Sequence, residues 1–202
     1  MLVGVGLGPG DPELLTLRAV RRLQEADAVY VPGRMAYRLV AAYRPDAEIL
    51  EFPMTDDESL IRECLEGNAD RIAPAAESGL AVFGIIGDPN FFSTFSRLCE
   101  ILAERHPGIA CATEPGISSI TAFASVAGVP VSGGFLVSDG SAPESRIFMK
   151  VRRPAELASR LKAEGYVECI LVERMFLEGQ KIYRNGGFPE ESDYFSIMYA
   201  RR

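Results

Sequence analysis

Leu2-Val3-Gly4-Val5-Gly6-Leu7-Gly8-Pro9-Gly10-Asp11-Pro12-Glu13 is the stretch whose reading decides the fold. Leu2 to Leu7 is short, apolar and closed by glycines, which reads as a buried strand. Asp11 then offers an N-cap, Pro12 a first helical position and Glu13 an acid in the first turn. Leu14, Leu17, Val20, Arg21 and Leu23 continue as one amphipathic helix to about Glu25. A buried strand that passes through a glycine turn into a helix is the opening half of a βαβ unit.

The same alternation runs outward from that unit. Strands are predicted over Ala28 to Val31, Glu48 to Phe52, Leu80 to Ile86 and Ile109 to Thr113. Helices are predicted over Met35 to Tyr43, Asp57 to Glu77, Phe92 to Glu104 and Ile117 to Ala127. Leu80 to Ile86 is continuous, apolar and stopped by Gly87-Asp88-Pro89, as an interior parallel strand should be. Five strand–helix units with short loops predict a mainly parallel sheet covered on both faces. After Pro130 the texture changes: strands are expected at Phe135 to Val137, Arg146 to Val151, Val167 to Val172, Gln180 to Tyr183 and Tyr194 to Tyr199, with one helix at Pro154 to Ala163. The expected organisation is an N-terminal α/β domain over 1–114 and a C-terminal α+β domain over 115–202 with a mixed sheet.

Composition narrows the function classes. The 202 residues are 48% apolar and 24% charged, ordinary for a globular chain that buries a core without staples. The longest apolar run has about seven residues, against roughly 18 to 20 for a membrane span. Met1-Leu2-Val3-Gly4 has no basic region, so no secretory signal is expected. Cys64, Cys99, Cys111 and Cys169 are widely spaced and accompany a single histidine, which argues against a metal knuckle and for free thiols in the cytoplasm. A net charge of −7 disfavours nucleic acid as a partner.

The glycine loop fails three common templates. A dinucleotide fingerprint begun at Gly4 needs glycine at Pro9, and one begun at Gly6 needs it at Asp11. A P-loop needs a Gly-Lys pair, and no lysine precedes Lys150. The common methyltransferase pattern wants an acid at the end of strand one, where Val3 and Val5 stand. Two further small-residue turns nevertheless follow strands: Gly84-Ile85-Ile86-Gly87-Asp88-Pro89 and Glu114-Pro115-Gly116-Ile117-Ser118-Ser119. In a parallel sheet such turns gather at one edge, where backbone groups approach a ligand and helix N-termini add positive charge.

At these loops the sequence resembles the tetrapyrrole (corrin/porphyrin) methylases. Val3 to Ala19 is similar to that family's signature almost residue for residue. Phe52-Pro53-Met54-Thr55, Gly87 to Ser96, Glu173-Arg174, Gln180-Lys181-Ile182 and Tyr194-Phe195-Ser196 extend the likeness along the chain. The resemblance implies two α/β domains with S-adenosylmethionine between them, no protein-bound metal, and a homodimer. It implies methyl transfer to C-20 of precorrin-2 or cobalt-precorrin-2. On the cofactor it places Pro9, Ile86, Gly87, Asp88, Phe91, Ser118 and Ser119, with Met149 and Met175 toward the adenine. Two stretches depart from the family pattern, the short Ser/Gly/Pro connection from Val137 to Ile147 and the segment after Pro32-Gly33.

The residues suit that chemistry. A sulfonium methyl is already activated, and an electron-rich ring carbon attacks it without a protein nucleophile, so the enzyme's task is orientation. No catalytic residue is assigned; Ser93, Thr94 and Tyr30 are the hydroxyls considered for a departing proton, besides solvent. His106, before Pro107-Gly108, is read as a helix cap. A ring bearing eight carboxylates calls for a local basic patch in an acidic protein. Arg34, Arg38 and Arg152 are the leading substrate-binding candidates, with Lys150, Arg153 and Arg174 beside them. The alternatives left open are methylation of another ring carbon or substrate, a non-catalytic cofactor- or ring-binding homologue, and a phosphate-binding nucleotide module.

Overall fold

The computed structural model describes residues 1–202, and the chain divides into two compact units, Met1–Gly134 and Phe135–Arg202. In the first, strands β1 (Leu2–Gly6), β2 (Ala28–Pro32), β3 (Glu48–Leu50), β4 (Ala81–Ile85) and β5 (Cys111–Glu114) form one sheet in the order β3-β2-β4-β1-β5. Every pairing is parallel. Helices α1 (Leu17–Glu25), α2 (Arg34–Val40), α3 (Glu58–Ser78), α4 (Thr94–Arg105) and α5 (Ser119–Ala127) alternate with the strands.

Strand periodicity explains the two faces. Leu2, Phe83 and Ile85 point to the side where Leu65, Ala69 and Ile72 of α3 and Leu98 and Leu102 of α4 pack. Val3, Val5 and Val82 point to the other, against Ala19 and Leu23 of α1 and Ala36, Leu39 and Val40 of α2. Both faces are dry, which is why these strands read as continuous apolar runs. Gly4 is required by close approach: a Cβ there would meet the Phe95 ring at 2.6 Å.

The expected first helix is in fact two pieces. Asp11 caps a 3-10 turn, Pro12–Leu14, by accepting from Glu13 N–H. Leu15 is extended, and Thr16 restarts the chain as α1 by accepting from Ala19 N–H at 3.0 Å. A second Ser/Thr-type cap inside an apolar-periodic run outweighed the periodicity.

In the second unit, β6 (Ser145–Met149), β7 (Glu168–Glu173), β8 (Lys181–Arg184) and β9 (Ser196–Arg201) form a sheet in the order β6-β9-β7-β8. It is antiparallel throughout, stricter than the mixed sheet expected. Helix α6 (Pro154–Ala163) contributes Leu161 to a core of Val151, Tyr166, Cys169, Leu171, Met198 and Ala200. Phe135–Val137 is not a strand: Gly128–Glu144 contains neither helix nor strand, and Phe135 and Leu136 are exposed with no neighbouring strand to pair. The expected division after Glu114 differs from the grouping found, which keeps Pro115–Gly134, including α5, with the first unit.

Candidate functional site

The connection after β1 leads toward β2, whereas the one after β4 leads past β1 to β5. In open parallel α/β sheets, ligands bind at the carboxyl ends of the strands. The loops that follow β1, β4 and β5 meet there. Gly87 N–H donates to the Gly8 carbonyl at 2.7 Å, an isolated antiparallel bridge joining the first two loops. Asp88 is buried, and its carboxylate accepts from Asn90 N–H at 2.9 Å and from Gly116 N–H at 3.1 Å, tying the second loop to the third.

The glycines make this approach possible. A Cβ on Gly6 would stand 2.4 Å from Gly116 N, and one on Gly116 would stand 2.3 Å from the Gly87 carbonyl oxygen. Gly8 and Gly87 have φ of 76° and 81°, a left-handed region that glycine enters without penalty. Three chain segments are thus held at backbone contact, and the sequence-predicted positions cluster on them. Ile86 and Phe91 are exposed, Pro9 is partly so, and Gly87 and Asp88 are buried beneath them. Ser118 caps α5, its hydroxyl accepting from Ile120 N–H at 3.2 Å, and Ser119 is the first helical residue.

Glu114 has no role in the sequence reading, yet it is buried at the end of β5. It accepts from Arg22 Nε at 2.9 Å and Arg18 Nη1 at 3.3 Å, fixing α1 against the strand that delivers the third loop. The available signal was an acid closing a strand together with two arginines at i,i+4 spacing on one helix face.

The remaining candidates fall in several places. Arg34 and Arg38 are exposed, at the first position and in the last turn of α2. Met149 ends β6, Met175 follows β7, and both are exposed; they belong to the second unit with Arg152. Tyr30 is a core residue, its hydroxyl donating to the Arg71 carbonyl and its acidity weakened by burial. Ser93 is spent as the α4 cap, accepting from Phe95 N–H at 3.1 Å. His106 caps the far end of α4 and bonds Asp70 through Nε2 at 2.8 Å. No group of three His, Cys, Asp or Glu residues is arranged to hold a metal, and no helix is long and apolar enough to cross a membrane.

A five-stranded parallel sheet whose glycine turns meet at its carboxyl edge, followed along the chain by a four-stranded antiparallel unit, defines a two-unit α/β protein. Comparisons with known proteins name the class. The sequence profile of the Tetrapyrrole (Corrin/Porphyrin) Methylases matches residues 1–186, and the chain belongs to that family of S-adenosylmethionine-dependent methyltransferases. The "Probable cobalt-precorrin-2 C(20)-methyltransferase" of Methanocaldococcus jannaschii is 31% identical over 222 residues, covering 98% of this chain and 95% of the relative. A siroheme synthase of Thiobacillus denitrificans is 35% identical over 129 residues, 63% of this chain but only 26% of its own. Among solved structures, a cobalamin synthesis related protein, CobF, from Corynebacterium diphtheriae shares the fold with a TM-score of 0.52 at 16% identity, covering 100% of this chain and 98% of that one.

Proposed function

We propose that the protein transfers a methyl group from S-adenosylmethionine to C-20 of precorrin-2 or cobalt-precorrin-2, in corrin synthesis. The observation that carries the reading is the contact of the Gly8, Gly87 and Gly116 loops, on a chain that matches a C(20)-methyltransferase nearly end to end.

The loops fit the donor. Gly6 and Gly116 let the loops pack at backbone contact, and Gly87 has open space where a Cβ would stand. Ile86, Gly87 and Asp88 hold the amino-acid moiety through main-chain groups, with Pro9 and Phe91 alongside. Ser118 and Ser119 bring the first N–H groups of α5, whose partial positive charge suits the donor's carboxylate. When bound, S-adenosylmethionine supplies an electrophilic methyl on a positive sulfur. The Asp88 carboxylate is engaged by two backbone donors, so it acts as the clasp of the site and no protein group serves as nucleophile. Holding both reactants in register is worth about 7 to 11 kcal/mol, enough for the protein's contribution to be positional. Arg34 and Arg38 receive carboxylates of the ring.

The reading includes a cytoplasmic homodimer: α5 exposes Phe123 and Val126, apolar side chains that a second copy would cover. Anaerobic incubation with methyl-labelled donor and each ring tests the activity. One added methyl, placed at C-20 by NMR, is expected with precorrin-2 or its cobalt form. Turnover only at another carbon would replace the assignment, and tight donor binding without turnover on any ring would make the protein a binding homologue.

A further inference from the structure

The second unit carries an aromatic ring flanked by two cations. Lys150 Nζ lies 5.0 Å and Arg152 Cζ 5.7 Å from the centroid of the Tyr194 ring, so the two charges stand no more than about 11 Å apart. Neither is in an ion pair, whereas the neighbouring Arg153, Arg160 and Arg174 are paired with Glu156, Glu164 and Asp193.

The platform is built rather than incidental. Lys150 leaves β6 with φ of 59°, a conformation that L side chains rarely adopt and that turns the chain abruptly. The next residues are fastened to the loop that bears the tyrosine. Val151 N–H donates to the Ser196 carbonyl at 3.0 Å and Ser192 N–H to the Arg152 carbonyl at 2.9 Å. The loop has its own clasp: the Ser192 hydroxyl bonds both Glu173 and the hydroxyl of fully buried Ser196, and Asp193 accepts from Phe195 N–H at 2.8 Å. Tyr194 packs edge-on to Phe195 at 5.5 Å, and both rings are about half exposed. Two like charges drawn to one exposed ring repel each other until anions screen them, and an aromatic floor between them suits an anion with an apolar body.

Resting on the tetrapyrrole reading above, we propose that Lys150, Arg152 and Tyr194 form a clamp for two neighbouring carboxylates on the rim of a flat ring. One carboxylate pairs with each cation, and the ring edge lies against Tyr194. Two acid side chains on a single pyrrole fall within that limit. The clamp selects rings by the number and adjacency of their acid groups.

The experiment is a fluorescence titration of the full chain with uroporphyrin (eight carboxylates) and coproporphyrin (four), for wild type, K150M, R152M and the double variant. Benzenehexacarboxylate is titrated by calorimetry as a small probe, and S-adenosylhomocysteine as a control. The clamp predicts that each single variant weakens uroporphyrin binding about tenfold and the double variant about fiftyfold or more. Preference for uroporphyrin over coproporphyrin should fall in step, with S-adenosylhomocysteine affinity held within about twofold. A double variant that binds uroporphyrin as wild type does would overturn the clamp, as would a wild type that binds neither uroporphyrin nor benzenehexacarboxylate. Binding of benzenehexacarboxylate that the double variant loses, with no binding of either porphyrin, would leave the clamp standing and remove the tetrapyrrole reading.

Discussion

Asp88 holds two loops with one carboxylate, and its loss should be felt in both folding and binding. Asp88→Ala strands the Gly116 and Asn90 N–H groups, which predicts a loss of about 1–3 kcal/mol in chemical denaturation. The same change should weaken S-adenosylhomocysteine about tenfold or more by calorimetry, and Asp88→Asn should recover part of both. Gly116→Ala tests close approach, since its methyl would be driven into the Gly87 carbonyl. A cost of about 1–3 kcal/mol and loss of donor binding are expected, checked by melting and calorimetry. Among the thiols, Cys111 is the one poised to react: a hydrogen bond from Cys99 and the nearby N-terminal ammonium hold it down to about 7. Burial raises Cys64 and Cys169, and the shared proton raises Cys99. Alkylation at pH 8 followed by peptide mapping should therefore find Cys111 modified first. The glycines of the site were legible as residue types, because few other roles need so many at strand ends. The carboxylate that clasps them was legible only as a turn residue, because its donor partner, the Gly116 N–H, is 28 positions away.

At the scale of elements, α3 and α4 are joined by an exposed ionic seam. Arg62 bridges Glu66 and Glu104, and Arg105 with His106 grips Asp70. Arg105 first, and then His106, hold the Asp70 carboxyl down to about 2, from an ordinary 3.8. A carboxylate whose folded pKa is depressed adds stability above its unfolded value and loses it as the pH falls toward the folded one. The melting temperature of wild type should therefore exceed that of Asp70→Asn above about pH 4, the gap closing between about pH 4 and pH 2. Glu114→Gln removes the charge that anchors α1 to β5, with a cost of about 1–2 kcal/mol because the arginine partners remain part-solvated. Buried strands were legible because they are apolar on both faces. The split of the first helix was not, since Leu14 and Leu17 keep helical spacing across a break made by Thr16.

For the whole molecule, the parallel order β3-β2-β4-β1-β5 explains why distant loops share one edge. Alternation of strand and helix predicted a parallel sheet but could not order it, because strand order depends on which crossovers pack best. The expected strand at Phe135–Val137 failed for a related reason: apolar residues make a strand only where a partner edge waits. Central to the account is the claim that the three glycine turns grip the methyl donor. Amide NMR of the full chain, titrated with S-adenosylhomocysteine, tests it most directly. The account predicts saturable shifts concentrated at Gly8, Gly10, Gly87, Asp88, Gly116, Ser118 and Ser119. Saturable binding that leaves those amides unmoved would contradict it.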